Sequence, residues 1–199
     1  MRKSLSTPRG RSLHHFAKIL LLPVLLFLWG NVSGQVNITA LPQTYSQDFN
    51  SLGTTPATFS LANWYITPTG TLNSNAGTAT AGACYNFGSS GSADRSLGGL
   101  SSGSATPRFG FRIKNNSSVA ITALDVSFTG EQWKQTTAAL QTLDLAYQIS
   151  SSAITDITNT TGTWTTASAL KFTALKTGNA DALDGNATDN RTAISGILM

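Results

Sequence analysis

Trp133 and its neighbours are the residues whose types best fit a binding chemistry. Strand alternation along this segment places Trp133 outward beside Glu131, where the indole could stack on a sugar ring and the carboxylate could bond its hydroxyls. Two effects oppose that arrangement. Gly130 invites a bulge that would turn Trp133 inward, and a large aromatic residue in a sandwich usually belongs to the core. We therefore favour a core position for Trp133 and retain the exposed platform as the alternative.

Trp64 is the second candidate for an aromatic platform. Because Trp64 and Tyr65 are adjacent in a predicted strand, they face opposite sides of it, and we expect one to be buried and the other exposed. Arg112, in a strongly alternating segment, is the candidate donor to sugar hydroxyls, and Glu131 is the candidate acceptor from them. The predicted ligand-binding residues are therefore Trp133, Glu131, Arg112 and Trp64. The expected partners are an extracellular polysaccharide or further domains of the same protein.

Catalytic chemistry has little support in the predicted mature chain, residues 35–199. Both histidines, His14 and His15, precede it, which removes a Ser–His–Asp triad, a Cys–His nucleophile and histidine zinc sites. A glycosidase needs two carboxyl groups within about 9.5 Å of each other. The strand spacing between Asp125 and Glu131 separates them by about 20 Å. We therefore predict that the chain is not an enzyme and uses no cofactor.

The acidic segment near the end of the chain is the one candidate for metal binding. Asp181, Asp184 and Asp189 crowd a polar stretch, and calcium takes oxygen ligands from such loops. The EF-hand pattern is not matched, because Gly185 directly follows Asp184 and no glutamate closes the loop. A solvated turn rich in Asp and Asn accounts for the same composition. We predict no metal site here and keep calcium as the alternative.

Charge and cysteine content narrow the partners further. Five of the 13 basic residues precede Ile19, which leaves eight against nine acids and a net charge of −1 for 35–199. We therefore expect no nucleic-acid partner for this domain.

Cys84 is the only cysteine, so no intrachain disulfide can form, and its apolar surroundings predict a buried, inert thiol. Arg95 follows a glycine-rich loop and is expected to bond loop carbonyls rather than Asp94.

The first 34 residues have the three-part layout of a secretory signal peptide. Basic residues precede an apolar run from Ile19 to Trp29, and Val32-Ser33-Gly34 supplies small or tolerated residues at the cleavage position. The run is shorter than the roughly 20 residues that span a bilayer. We predict a signal peptide at 1–34, cleavage near Gly34, a secreted or cell-surface mature chain, and no membrane span within it.

The elements that would position these residues are short alternating strands separated by Gly, Ser and Asn turns. The mature chain holds a single glutamate and many hydroxyl-bearing residues, which disfavours long helices. We predict an all-β domain at 35–199, an antiparallel β-sandwich of jelly-roll type. In its longest strand, Leu124, Val126 and Phe128 point inward. The predicted strands are 43–49, 59–66, 78–87, 95–100, 108–114, 121–133, 143–149, 170–174 and 194–199.

The last predicted strand runs into Met199, where the sequence stops. A sandwich that ended there would leave an unpaired edge and exposed apolar surface. We therefore expect a fragment whose last strands are missing, and we expect residues 35–199 alone to be poorly soluble or oligomeric.

Five short strings together resemble one family. They are YSQDFNSLG at 45–53, YNFG at 85–88, DRSLG at 94–98, FGFRIKN at 109–115 and TGEQW at 129–133. In this order they are similar to an N-terminal β-sandwich module of large secreted proteins from Bacteroidota, often linked to type IX secretion sorting domains. Family members usually continue with further strands, which this chain lacks.

The resemblance implies location and architecture, since the family module has no assigned activity. We therefore expect a secreted, non-catalytic module for adhesion, recognition or spacing in a larger extracellular protein. The alternative is a carbohydrate-binding module of a secreted polysaccharide- or nucleic-acid-degrading protein.

Overall fold

Strands and the turns that join them make up almost all of the described chain. The computed structural model describes residues 34–137, 140–155, 157–158 and 161–198. The predicted signal peptide, apart from Gly34, therefore lies outside the described residues. The strands are β1 Val36–Ile38, β2 Ala57–Thr58, β3 Trp64–Thr67, β4 Thr71–Asn75, β5 Ala83–Phe87, β6 Ser96–Leu100, β7 Arg108–Phe111, β8 Ile113–Asn115, β9 Leu124–Glu131, β10 Thr142–Leu143, β11 Ala146–Tyr147, β12 Thr165–Thr166, β13 Phe172–Thr173 and β14 Arg191–Leu198.

The all-β prediction is confirmed. In the described part of the chain, the helical elements are short 3₁₀ turns at Asn50–Leu52, Ser168–Leu170 and Thr188–Asn190. No described helix has the length and apolar character needed to cross a membrane. The strands form several small sheets in a sandwich-like arrangement. The jelly-roll order of the strands stays a prediction.

The largest sheet has the strand order β2-β4-β5-β6. Its β2–β4 and β5–β6 pairs are antiparallel, whereas β4 and β5 run parallel. Four of the five residues of β5 are buried. The sequence of a strand that is covered on both faces is usually an almost continuous apolar run. The segment Cys84-Tyr85-Asn86-Phe87 comes close to one.

Both faces of β5 carry core residues, because successive side chains point to opposite sides of a strand. Cys84 points into one buried cluster, and Tyr85 and Phe87 point into another, where they pack with Trp133. One layer of core side chains thus lies on each face of this sheet. The buried residues of the first cluster are Ile66, Leu72, Cys84 and Leu97.

Strands β9 and β14 form the longest pair, antiparallel over eight residues each. Their register runs from Glu131 opposite Arg191 to Leu124 opposite Leu198. Half-buried and exposed residues alternate along β9 up to Thr129, which confirms the predicted inward positions of Leu124 and its apolar neighbours. The predicted last strand is also confirmed, as far as Leu198.

The remaining pairs are β3–β7, β10–β13 and β11–β12, which are antiparallel, and β1–β8, which is parallel. Most pairs therefore agree with the predicted antiparallel arrangement. The parallel β1–β8 and β4–β5 pairs were not predicted.

Several predicted strands differ in the structure. The strand predicted at 59–66 begins only at Trp64, and the one predicted at 108–114 divides into β7, which pairs with β3, and β8, which pairs with β1. Residues 43–49 form no strand. Phe49 instead has a φ of 63° and begins a 3₁₀ turn, while its ring packs edge-on against Trp64 with centroids 4.8 Å apart. Side-chain docking, rather than backbone pairing, accounts for the apolar residues in this segment. Residues 143–149 divide into parts of β10 and β11. Ile149 lies beyond β11 and is 78% exposed.

Candidate functional site

Three aromatic side chains form a partly exposed surface, here called the aromatic patch and defined as Tyr45, Trp64 and Phe111. The ring of Phe111 lies between the other two. Its centroid is 5.0 Å from that of Trp64, with planes inclined by 34°, and 5.5 Å from that of Tyr45, with planes inclined by 32°. At these distances and angles the rings overlap in an offset stack, so each covers part of its neighbour's face. Phe111 is 41% exposed, and the other two rings are half-buried.

Strands β3 and β7 place the patch. Trp64 pairs directly with Phe111 across the two strands, and Ile66 pairs with Phe109. Because residues two apart share a face, all four side chains point the same way. Ile66 and Phe109 belong to the buried cluster around Cys84, whereas Phe111 lies at the boundary between the core and solvent.

Tyr45 reaches the patch from the segment that precedes the first 3₁₀ turn. The indole Nε1 of Trp64 donates a hydrogen bond to the Tyr45 hydroxyl oxygen over 2.8 Å. Phe49 supports the same indole edge-on. The hydroxyl proton of Tyr45 meets no acceptor within the described part of the chain. The patch therefore offers the exposed part of the Phe111 ring, smaller parts of the other two rings and one hydroxyl donor.

Trp133 is buried, with 5% of its surface exposed. Its Nε1 donates to Glu131 Oε2 over 2.9 Å and to Ser96 Oγ over 3.1 Å. Its ring stacks on Phe87, with centroids 6.1 Å apart and planes inclined by 10°, and its edge lies against Gly185. The exposed sugar-stacking platform at Trp133 is therefore wrong, and the core position that we favoured is the one observed.

The expected bulge at Gly130 does not cause this burial. The β9–β14 register stays continuous through Gly130 to Glu131. The backbone N–H of Gln132 still donates to the carbonyl of Asn190, the next pair in the same register, and the Trp133 carbonyl then accepts from Leu183. Trp133 stays on the side of Glu131, to which its indole bonds, and it is buried because Phe87 and Ser96 cover that side. Glu131 consequently binds a core indole rather than presenting its carboxylate for a ligand.

Arg112 also lies apart from the patch, on the other side of its strands. Its guanidinium carbon is 5.5 Å from the centroid of the Tyr65 ring, and its Nη1 donates to the Ile154 carbonyl over 2.8 Å. Arg108 donates in the same way to the Thr158 carbonyl. These two bonds hold the backbone at Ile154 and at Thr158 against the strands.

The four predicted ligand-binding residues do not form one surface. Trp64 packs on the core cluster of Cys84, whereas Trp133 and its partner Glu131 belong to the cluster on the opposite face of β5. Of the four, only Trp64 contributes to the aromatic patch. Trp64 and Tyr65 are both half-buried, so the expectation of one buried and one exposed residue is wrong.

The acidic segment is held by hydrogen bonds of its own. Asp184 Oδ1 accepts from the Asn186 backbone over 3.1 Å and from Ser89 Oγ over 3.3 Å, and Asp181 Oδ2 accepts from Gln135 over 3.2 Å. Among the described residues, no group of three His, Cys, Asp or Glu side chains, including Asp189, is placed to hold a metal ion. The calcium alternative thus gains no support from this geometry.

Arg95 is the centre of a buried polar network. Its Nε donates to Asn86 Oδ1 over 2.8 Å, and its Nη2 donates to the Asn86 carbonyl and to Ser74 Oγ, each over 2.6 Å. A longer bond of 3.5 Å reaches the Ser89 carbonyl. Burial lowers the pKa of the guanidinium, and the charge of Asp94 opposes that shift. Only the Ser89 carbonyl belongs to a loop, since Asn86 lies on β5 and Ser74 on β4, so the predicted bonding of loop carbonyls is observed only in part.

Cys84 is buried as predicted. Its thiol donates to the carbonyls of Thr67 and Arg108, with sulfur–oxygen distances of 3.5 and 3.7 Å. Burial raises the pKa of the thiol to about 11, although the two backbone hydrogen bonds act in the opposite direction. At neutral pH the group is a protonated thiol and a poor nucleophile.

Phe111 and Tyr45 are the site residues that the sequence did not identify. Alternation assigned Phe111 to the same inward face as Phe109, and the sequence carries no signal that the core ends between them.

Comparison of the sequence with protein families finds no match, and comparison with curated proteins and with solved structures also finds none. The resemblance to the secreted Bacteroidota module therefore stays a prediction.

Proposed function

We propose that the chain is a secreted, non-catalytic module that serves adhesion, recognition or spacing in a larger extracellular protein. The observation that carries the proposal is the aromatic patch. Tyrosine and tryptophan are enriched at binding surfaces because each joins a large apolar face to a polar tip. Here their rings are fixed by neighbouring strands and by the bond between Trp64 and Tyr45. The signal-peptide layout of residues 1–34 supports an extracellular location.

A carbohydrate-binding module of a secreted polysaccharide- or nucleic-acid-degrading protein is the second candidate. The specific observation in its favour is that Trp64, one of the two predicted platforms, lies in the patch. Trp133, Glu131 and Arg112 play no part in this version, since their groups bind within the fold.

The test is binding of the secreted full chain to immobilised collagen, mucin and insoluble polysaccharides, with release of breakdown products measured in parallel. We expect saturable binding to at least one material and no breakdown of it. Phe111→Ala should weaken that binding. Leu143→Ala is the matched control, because Leu143 is 42% exposed, like Phe111, but lies on β10. Absence of saturable binding, or breakdown of the bound material, would contradict the proposal.

A further inference from the structure

We infer that the free edge of β14 is a dimer interface, where the chain pairs antiparallel with a second copy of itself about a two-fold axis at Ile194. The inference goes beyond the proposed recognition function and does not depend on it. β14 bonds β9 along one side, and no backbone hydrogen bond joins its other side to a described residue. An unpaired strand edge is a template for the backbone of another strand.

The sequence of β14 favours pairing at this edge. Proteins usually protect an exposed edge by keeping it short, or by placing a charge, a proline or a bulge in it. β14 has eight residues, whereas the described strands other than β14 and β9 have five or fewer. From Thr192 to Leu198 it carries no charge and no proline, and its register with β9 is continuous. β9, by contrast, carries Asp125 and Glu131, so β14 is the unprotected edge of this sheet.

The two-fold axis at Ile194 determines which residues meet. Opposite residues of an antiparallel pair share a face, so Ile194 lies opposite its counterpart, and Arg191 lies opposite Ile197 of the second copy. Seven residues of each strand then pair, which supplies about six to eight backbone hydrogen bonds, within the range of about 5 to 15 in typical interfaces. A two-stranded sheet, marginal by itself in water, becomes four-stranded.

Two exposed charges fit this register. Asp125 and Arg191 form no ion pair within the described part of the chain, and Glu131, which lies opposite Arg191, accepts a hydrogen bond from the Trp133 indole. Within one chain, six residue steps, about 20 Å, separate Asp125 from the end of the ladder at Arg191. In the dimer, Arg191 of the second copy lies two strand spacings, about 10 Å, from Asp125, which an extended arginine can span. The two-fold axis makes this contact twice.

A shallow groove on the sheet offers room for the incoming arginine. Its volume is about 270 Å³, and it is lined by Asp125, Val126, Ser127, Ser195, Gly196 and Ile197. Four of these six are outward-facing residues of β9 and β14. Because Ser127 and Ser195 are small and lie opposite each other, a guanidinium can lie between the strands and bond the carboxylate at the end of the groove.

The first experiment is sedimentation equilibrium of the secreted full chain between about 1 and 100 μM, where we expect a monomer–dimer equilibrium. Ile197→Lys places an ammonium opposite Arg191 of the second copy and should weaken the dimer about tenfold or more. Ile197 is 65% exposed, so the monomer should keep its fold, which circular dichroism checks. Ile149→Lys, at a 78% exposed position outside β14, is the matched control and should leave the dimer unchanged.

Charge reversal tests the partner contact itself. Asp125→Arg and Arg191→Asp each bring like charges together in their own dimers, and each should weaken association about tenfold or more. An equimolar mixture of the two variants restores both attractive contacts in the mixed dimer, so it should associate within about threefold of wild type. A variant that merely failed to fold would not be rescued in this way.

Disulfide trapping tests the register. Ala193 lies opposite Ser195 of the second copy, with Cα atoms about 4.5 to 5.5 Å apart, a spacing that a disulfide accepts. Ala193→Cys mixed with Ser195→Cys should therefore cross-link on oxidation, while the buried Cys84 stays reduced.

Four results would overturn the inference. The first is a chain that stays monomeric throughout the concentration range. The second is assembly into species larger than a dimer, because a two-fold interface closes on itself. A dimer that is equally strong in Ile197→Lys and wild type would place the contact elsewhere on the surface. A mixture of the charge variants that stays dissociated, or cysteine variants that do not cross-link, would refute the register and the inference with it.

Discussion

Trp133 and Glu131 are joined by a hydrogen bond inside the fold, from the indole Nε1 to the carboxylate Oε2 over 2.9 Å. Residues two apart on a regular strand would lie side by side and point to solvent together. Here that side is covered, because Phe87 stacks on the indole and Ser96 also accepts from its N–H, so Trp133 is 5% exposed. The only glutamate of the predicted mature chain is therefore a structural partner of a core tryptophan.

This pairing predicts different effects for two substitutions of Glu131. Glu131→Ala removes one acceptor of the indole N–H and should lower the free energy of unfolding by about 1 kcal/mol, with Ser96 still accepting. Glu131→Gln keeps an amide oxygen in place and should lie within about 0.5 kcal/mol of wild type. Urea denaturation followed by tryptophan fluorescence measures both. Equal stability of Glu131→Ala and wild type would show that the bond contributes nothing.

Gly130 and Gly110 are both strand glycines, and they should respond differently to alanine. A Cβ at Gly130 would overlap the ring of Phe172, whereas a Cβ at Gly110 would meet open space. We expect Gly130→Ala to cost about 1–3 kcal/mol through overpacking. Gly110→Ala should be neutral or slightly stabilising. Thermal unfolding of the two variants checks this, and a similar loss in both would show that steric overlap is not the cause.

Arg95→Lys should destabilise the fold although the charge is kept. A lysine ammonium cannot reproduce the separate Nε and Nη2 bonds to Asn86 and Ser74. The expected loss is about 2 kcal/mol, since hydrogen bonds to charged groups are the stronger ones. Arg191→Lys, at an exposed position on β14, is the control and should stay within about 0.5 kcal/mol of wild type. Denaturation midpoints that coincide for the two variants would contradict the network's importance.

The Cys84 thiol should react slowly in the folded chain. With a pKa raised by burial to about 11, the thiolate is scarce at pH 8 and increases only as the pH approaches that value. Burial in the folded state favours the protonated form. Its stabilising effect should therefore be present below the ordinary thiol pKa and be lost as the pH rises through about 11. Iodoacetamide labelling, with and without guanidinium, measures the protection. Equal labelling rates at pH 8 would disprove it.

The signal-peptide prediction has a direct check. Expression of the full chain in a Gram-negative host, followed by mass spectrometry of the exported protein, should find an N-terminus at or near Gln35. A chain that stays in the cytoplasm with Met1 or Arg2 at its end would refute both the cleavage site and the location. Replacing Leu21 and Leu22 by arginine should block export, because the apolar run is then interrupted.

The sequence predicts the parts of this fold that depend on local alternation. Leu124, Val126 and Phe128 repeat with a period of two between polar residues, and β9 forms there. The segment 43–49 also contains apolar residues at strand-like spacing, but no neighbouring strand pairs with it. Whether such a segment forms a strand is decided by residues that are distant in the sequence, so local pattern alone cannot distinguish the two cases.

The candidate site could be predicted only in part for the same reason. Trp64 was identified from its type. The patch exists because β3 pairs with β7 and because Tyr45 bonds Trp64 and contacts the Phe111 ring. The exposure of Phe111 depends on where the core ends, which the identical spacing of Phe109 and Phe111 does not reveal. The platform alternative for Trp133 is wrong because the side of β9 that alternation marks as outward is covered by Phe87 and Ser96, which are distant in the sequence.

The pairing of β9 with β14 also determines when this part of the chain can fold. Glu131 pairs with Arg191, so β9 must wait for its partner while about 60 further residues are made, a delay of about 3 to 12 s at ordinary rates of synthesis. During that interval the backbone of β9 and its apolar side chains lack the partner strand. Contacts between residues so distant in sequence also form slowly once both are present. This part of the fold therefore forms only after synthesis has reached the end of β14.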